Sequence, residues 1–103
     1  MPAYVIVDVK VIDPEAYRDY TSAVPGTLVP FEGRFIVRGG AHETLEGDWQ
    51  PQRIVILEFP SVERATAWHA SPAYQAILPI RHQHARTQFL TVVEGVEPVA
   101  STQ

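Results

Sequence analysis

The stretch GRFIVRGGAHETLEGDWQPQRIVILEF, residues Gly33 to Phe59, decides the fold that this chain is predicted to adopt. Two runs rich in β-branched and aromatic residues, Arg34–Arg38 and Arg53–Phe59, flank a polar connection. Such runs favour strands, whereas the glycines and Pro51 of the connection favour turns. We therefore predict two neighbouring strands joined by a long loop that carries much of the polar chemistry of the chain.

The residues before this stretch predict a strand and a helix. Tyr4–Val11 reads YVIVDVKV and alternates with period two, which is typical of a strand with one buried face. The motif DPE at residues 13–15 indicates a helix start, because aspartate caps free amides, proline suits the first position and glutamate favours the positive dipole end. Pro25-Gly26 is predicted to end this helix near Val24.

The residues after the stretch predict a helix in two parts and a final strand. Ser61 and Ser71 each suit the N-cap of a helix, and a proline directly after Ser71 strengthens the second start. Pro79 lacks an amide hydrogen and is expected to kink or split the second part. Thr87–Glu94 reads TQFLTVVE and is predicted to be the fourth strand.

The resulting order is β-α-β-β-α-β, which predicts an α+β, ferredoxin-like fold over residues 1–96 with a flexible tail at 97–103. This arrangement is a four-stranded antiparallel sheet with helices on one face. The third strand, RIVILEF, is apolar on both faces, so its second face also needs cover. We expect a second copy to pack on it, sheet to sheet across a two-fold axis, to form a homodimer.

Composition excludes several classes of function. With 103 residues, 46% of them hydrophobic and 19% charged, the chain is predicted to be one soluble globular domain. A net charge of −4 without blocks of like charge argues against nucleic-acid binding. The absence of cysteine excludes disulfides and thiolate chemistry. No apolar run approaches the roughly 20 residues of a membrane span, and no signal peptide is evident, so we expect a cytoplasmic protein.

Several segments follow one another in a recognisable order over about residues 3 to 95, namely YVIVDVKVIDPEAYRDY, GRFIVRGG, EGDW, RIVILEFPS, AWHASPAYQ, Arg81 and VVEG. Together they resemble domain-of-unknown-function family 1330 (DUF1330) of the dimeric α/β-barrel superfamily. The chain departs from the family at Glu32-Gly33, where two glycines are frequent, and at His69, where tyrosine is common. The resemblance implies the same fold and dimer. It implies no established reaction, because relatives in the superfamily include cofactor-free monooxygenases, isomerases and haem proteins.

Candidate catalytic residues lie in the polar connection. His42 and Glu46 could move a proton, since a carboxylate in an apolar wall can be tuned towards neutral pH. Trp49 belongs to the same segment as Glu46 and is a candidate binding residue. The alternative is a long hairpin connection in which Gly47 supplies a turn with positive φ, Trp49 packs on the sheet edge and the acids are solvated.

Candidate binding residues lie on the apolar elements. Arg53 and Arg81 could each hold a carboxylate through two parallel hydrogen bonds, or could form ion pairs within the sheet or at the dimer rim. Trp68 and Tyr74, with Phe59 or Phe35, would be the apolar walls of a pocket between sheet and helices, and His69 a polar group at it. The alternative for these aromatic residues is a core role alone.

We predict no metal and no cofactor. His82 and His84 could share an ion only on a strand, and a helix is expected there. Two hypotheses of function follow. The first is a cofactor-independent isomerase or monooxygenase that acts on a small anionic or aromatic compound. The second is a non-catalytic ligand-binding or structural dimer.

Overall fold

The computed structural model describes residues 1–97, and the rest of the predicted tail lies outside them. The elements, in order, are β1 (Ala3–Val11), α1 (Pro14–Leu28), β2 (Arg34–Arg38), β3 (Ile54–Phe59), α2 (Val62–Ala70), α3 (Pro72–His84) and β4 (Ala85–Glu94). The strands form one antiparallel sheet in the order β2-β3-β1-β4. The predicted fold class, α+β and ferredoxin-like with a four-stranded antiparallel sheet, is therefore confirmed. In the described part, no helix is both long enough and apolar enough to cross a membrane.

The core lies between one face of the sheet and the helices. Val5, Val7 and Val9 of β1 are buried on this face, and Val5 pairs across the sheet with Leu57 on one side and Val92 on the other. Helix α1 covers them because its buried residues recur three or four positions apart. The buried residues of α1 are Tyr17, Tyr20, Val24, Thr27 and Leu28.

Helix α1 runs past its predicted end at Val24, so that prediction is wrong. Pro25 lies inside the helix and has no amide hydrogen to give to the carbonyl of Thr21, four residues earlier. The Nη2 group of Arg38 on β2 donates to that carbonyl at 2.9 Å. A side chain from the sheet therefore satisfies the freed carbonyl, and the helix continues to Leu28.

The predicted break in the second helix is confirmed at Ser71, between α2 and α3. The Ser71 backbone amide and hydroxyl both donate to the carbonyl of Trp68, at 3.0 and 2.7 Å. The same hydroxyl oxygen accepts from the Tyr74 amide at 3.3 Å and so caps α3. Pro79 was expected to kink or split α3, but the helix continues past it to His84. Pro79 and Gln75 lie on the exposed side of the helix, where water can bond to the Gln75 carbonyl that the proline leaves free.

A buried carboxylate fastens the connection between β2 and β3 to the centre of the sheet. Asp8 of β1 is 1% exposed and accepts from Trp49 Nε1 at 2.8 Å. It also accepts from the backbone amides of Gln52 at 2.9 Å and Arg53 at 3.3 Å. Residues 41–50 are exposed, and Gly47 has the predicted positive φ, at 93°. The loop is thus fixed where it enters β3 and solvated along most of its length.

The second face of the sheet has no helix over it among residues 1–97. Ile6, Ile54 and Ile56 occupy its centre and are half-buried by neighbouring side chains. At its edges Ile36 and Val93 are largely exposed. We refer to this apolar surface as the outer sheet face.

We expect Asp8→Ala to lower the free energy of unfolding by about 2–4 kcal/mol, because it leaves three donors without their acceptor. Trp49→Phe removes one of those donors together with its hydrogen bond and should cost about 1 kcal/mol. Urea denaturation of the wild type and both variants measures the loss in the free energy of unfolding for each variant. An equal loss for the two would show that the carboxylate does not hold the loop.

Candidate functional site

An internal cavity of about 40 Å³ lies between the helices and the core face of the sheet. That is room for a few water molecules, since one needs about 10–15 Å³ by this measure. Its walls come from α1, α2, α3 and all four strands or their ends. The lining residues are Val7, Val9, Tyr17, Tyr20, Thr21, Val24, Phe35, Arg38, Arg53, Val55, Leu57, Trp68, Arg81 and Leu90.

The guanidinium of Arg81 is the main polar group of the internal cavity. Helix spacing places Tyr74, Leu78 and Arg81 on the buried side of α3, and Arg81 is only 5% exposed. Its Nε and Nη1 atoms are buried and have no hydrogen-bond partner within residues 1–97. Burying a charge is costly unless it is paired and hydrogen-bonded. The folded chain therefore holds a positive group that it does not satisfy itself.

Two further arginines bring positive charge to the same cavity. The Arg38 guanidinium lies 4.2 Å from the centre of the Phe35 ring, and Arg53 is half-buried. In the part of the chain that the structure describes, the ion pairs are Met1 with Glu97 and Arg34 with Glu58, so neither Arg38, Arg53 nor Arg81 has a carboxylate partner. The cavity is positive although the chain carries a net charge of −4.

A pair of hydrogen-bonded tyrosines is buried beside the cavity. The hydroxyls of Tyr20 and Tyr74 lie 2.7 Å apart, and either of them can be the donor. Tyr74 is 0% exposed, whereas Tyr20 also lines the cavity. One hydrogen bond uses one of the two hydroxyl protons, so the pair retains a second proton that can be donated.

Both tyrosines are neutral donors and not bases. Burial raises the pKa of Tyr20 and of Tyr74, and the nearby Tyr74 adds to the effect on Tyr20. Tyr17, which stacks on Tyr20 with ring centres 5.2 Å apart, also has its pKa raised by burial. At neutral pH these hydroxyls keep their protons, so they can donate to an anion but cannot accept a proton from a substrate.

His69 lies behind this site and does not line it. Its ring is 5.5 Å from that of Tyr74 and 6.2 Å from that of Trp68, centre to centre. Burial lowers the pKa of His69, and the charges of Arg81 and His82 lower it further, so the imidazole is neutral at neutral pH. The ionisable side chains lining the cavity in the described structure are arginines and tyrosines. The arrangement can bind an anionic oxygen, and its walls provide no proton acceptor.

The profile of the family described as "Domain of unknown function (DUF1330)" matches residues 2–96. The chain belongs to this family. The resemblance read from the segments around EGDW and AWHASPAYQ is thereby confirmed. None of the curated proteins matches this DUF1330 chain.

Solved structures share the fold of this DUF1330 chain at low identity. The RPA0582 protein of Rhodopseudomonas palustris, of unknown function, has a TM-score of 0.70 and 20% identity over 94% of this chain and 84% of that chain. A dimeric ferredoxin-like protein of unknown function from Jannaschia sp. CCS1 has a TM-score of 0.67 and 13% identity, and the match covers 92% of this chain and 100% of that chain. SnoaB of Streptomyces nogalater, a cofactor-independent oxygenase, has a TM-score of 0.62 and 8% identity, and the match covers 97% of this chain and 98% of that chain. At these identities the likeness shows the fold alone.

Three of the predicted site residues of the DUF1330 chain meet at the internal cavity. Arg53, Trp68 and Arg81 all line it. Tyr74 lies one layer further in, where its ring contacts Trp68 at 4.2 Å between centres and its hydroxyl bonds to Tyr20. His69 packs against Tyr74 from the side of α2.

The other predicted residues lie elsewhere. Trp49 is on the opposite side of the sheet, bound to Asp8 and 5.6 Å from the Phe89 ring between centres. His42 donates from Nε2 to the Pro51 carbonyl at 3.0 Å and lines a wide, open depression of about 570 Å³, which we call the outer groove. Glu46 is exposed and lines neither the internal cavity nor the outer groove.

Sequence reasoning missed Tyr17 and Tyr20 as residues of the site. Their helical spacing places them on one face of α1, which predicts burial but no role for their hydroxyls. The sequence did contain a signal, namely tyrosine at positions where phenylalanine would fill the same space. A buried tyrosine hydroxyl needs a hydrogen-bond partner, and phenylalanine does not. Arg38 is one of the four arginines, with Arg34, Arg53 and Arg81, that the sequence offers for anion binding, but Arg53 and Arg81 are preferred because they belong to more apolar elements.

We expect Arg81→Met to raise the free energy of unfolding of the ligand-free protein by about 1–3 kcal/mol, because it removes an unpaired buried charge and keeps an apolar stem of similar length. Arg18→Met is the control, since Arg18 is exposed on α1 and methionine has a similar helix propensity. Urea denaturation measures the free energy of unfolding of both variants and of the wild type. A clear loss of stability in Arg81→Met would mean that the guanidinium is structural.

Proposed function

We propose that this DUF1330 domain binds a small organic anion with an apolar, often aromatic, body, and that the anionic group of this ligand lies in the internal cavity. The observation that carries the proposal is the buried guanidinium of Arg81, whose Nε and Nη1 atoms have no partner within residues 1–97. Anionic oxygens of a ligand would satisfy these donors, since charge-assisted hydrogen bonds to a guanidinium are among the strong ones. Arg81 is therefore the principal anion-binding residue of the proposal.

The surroundings of Arg81 favour a carboxylate or phenolate over a neutral or cationic ligand. Arg38 and Arg53 add positive charge, and no carboxylate within the described residues lines the cavity to balance it. Tyr20 also lines the cavity, and its hydroxyl keeps its proton at neutral pH because burial raises its pKa. Trp68 and Phe35 offer apolar and aromatic contacts for the rest of the molecule. A cation would be repelled, and a neutral molecule would leave the charge of Arg81 uncompensated.

Binding without catalysis is the better supported of the two functional hypotheses. A cofactor-independent isomerase or monooxygenase must take a proton from its substrate, and this needs a base within hydrogen-bond reach. The cavity walls provide arginines and protonated tyrosines, whereas His42 and Glu46 lie in the exposed connection. Arg81 and Tyr20 could stabilise an oxyanion that forms elsewhere or arrives already ionised. We therefore place binding first and keep catalysis as the second hypothesis.

We also propose that the chain forms a homodimer through the outer sheet face. The half-buried isoleucines at its centre and the exposed Ile36 and Val93 at its edges form an apolar surface. A second copy of the same sheet would remove both surfaces from water. The protein from Jannaschia sp. CCS1, with the same fold, is described as dimeric. Such a dimer leaves the internal cavity free, because the cavity lies on the other side of the sheet.

The binding proposal predicts selective stabilisation by small aromatic carboxylates. At a concentration of about 100 Kd a ligand adds about 2.7 kcal/mol to the free energy of unfolding, which a thermal shift detects. We expect phenylacetate-like acids to raise the melting temperature of the wild type and of Arg18→Met. The corresponding uncharged amides should have much weaker effects, and Arg81→Met should not respond to the acids. Equal responses of Arg81→Met and wild type, or of acids and amides, would contradict the proposal.

The dimer proposal predicts that a charge at the centre of the outer sheet face dissociates the protein. Ile56→Glu places two like charges close together across the proposed two-fold axis and buries them. We expect sedimentation equilibrium at micromolar concentration to give a dimer for wild type and a monomer for Ile56→Glu. Ala76→Glu, on the exposed side of α3, is the control and should stay dimeric. A monomeric wild type would refute the dimer.

A further inference from the structure

We infer that the outer groove is a second anion subsite, so that the ligand is an organic dianion with an apolar middle, such as a dicarboxylate. This inference rests on the proposed binding function and names the class of ligand. One anionic end would meet Arg81 in the internal cavity. The other would lie in the outer groove against Arg53 and Lys10.

Arg53 connects the two spaces. The outer groove is lined by Val9, Lys10, Val11, residues 39–42, Gln52 and Arg53. Val9 and Arg53 line the internal cavity as well. The two spaces therefore adjoin at Arg53.

The size of the two spaces also favours a ligand that extends through both. The internal cavity, at about 40 Å³, has room for a small anionic group but not for a whole metabolite. The outer groove, at about 570 Å³, lies in the range of about 300–1,000 Å³ that is usual for ligand pockets. A ligand with its anionic group at Arg81 therefore needs further space for its other atoms, and the outer groove adjoins the cavity at Arg53.

The groove is positive in the same way as the cavity. Two cations, Lys10 and Arg53, line it, and no carboxylate does so among residues 1–97. Neither Lys10 nor Arg53 forms an ion pair in the described structure. Exposed cations are ordinary on a protein surface. This groove is distinguished because one of its cations, Arg53, also lines the cavity that holds the buried, unpaired Arg81.

The backbone holds Arg53 in place at the junction. Its amide donates to Asp8 at 3.3 Å, and its carbonyl accepts from the Val9 amide at 3.0 Å. Gly39 has a positive φ of 72°, and a Cβ at this position would collide with the Arg53 guanidinium. Because Gly39 has no Cβ, the Arg53 guanidinium can occupy the space beside the end of β2. A cation that is held in place beforehand binds an anion with less loss of side-chain entropy.

The inference is tested with pairs of acids that share one skeleton. The pairs are para-tolylacetate with para-phenylenediacetate, and hexanoate with adipate, measured by titration calorimetry at low salt. We expect each diacid to bind the wild type roughly three- to tenfold tighter than its monoacid, which is the size of one or two exposed ion pairs. In Lys10→Met that advantage should shrink towards onefold, while the affinity for the monoacid stays unchanged. Arg18→Met should retain the full advantage.

A matched pair of glycine variants tests the position of Arg53 without changing any charge. Gly39→Ala forces the guanidinium aside, whereas a Cβ at Gly40 meets nothing within 4 Å. We expect Gly39→Ala to lose the preference for diacids and Gly40→Ala to retain it, with folding of both checked by circular dichroism.

The outcomes separate the two proposals. Equal binding of monoacid and diacid by the wild type, or a diacid advantage that survives both Lys10→Met and Gly39→Ala, would overturn the second subsite and leave the Arg81 site standing. Failure of the wild type to bind any of the four acids would overturn the binding function and the subsite together.

Discussion

The buried indole of Trp68 holds the helices against the sheet, and the rest of the structure depends on it. It is 1% exposed, donates from Nε1 to the Thr27 hydroxyl of α1 at 3.0 Å and contacts the Phe59 ring of β3 at 5.4 Å between centres. Its backbone carbonyl accepts both donors of Ser71, where α2 turns into α3. Trp68 also lines the internal cavity, so one residue fixes the helix layer and forms a wall of the site.

The charges of the site work against the stability that this core provides. A methionine at position 81 would fill the space without burying a charge, and phenylalanine at position 20 would need no hydroxyl partner. The chain instead has Arg81 without a carboxylate partner in the described structure, beside a hydrogen-bonded pair of buried tyrosines. Polar groups that a fold does not satisfy are expected where a ligand satisfies them. The proposed anion therefore accounts for features that are otherwise unfavourable.

Much of the fold could be predicted from local signals, and the errors have local causes too. Alternating valines predicted β1, and Ser71 before a proline predicted the break between α2 and α3, because strand period and helix capping depend on neighbouring residues. The end of α1 was wrong because Arg38, thirteen positions after Pro25, satisfies the carbonyl that this proline frees. A tertiary contact replaced the missing helical bond, and such a contact cannot be read from a local pattern.

For the site, the sequence by itself determined the chemical types: arginines on apolar elements, aromatic walls and a polar connection with acids and an imidazole. It also identified Arg53, Trp68 and Arg81 individually. Only the tertiary structure decided which of these residues meet. Helix α3 turns Arg81 inward towards Tyr20 and Arg53, whereas Asp8 ties the base of the polar connection to β1 and leaves His42 and Glu46 exposed. The physical reason is that a side chain's partners and burial depend on how distant segments pack, which residue type and spacing alone do not specify.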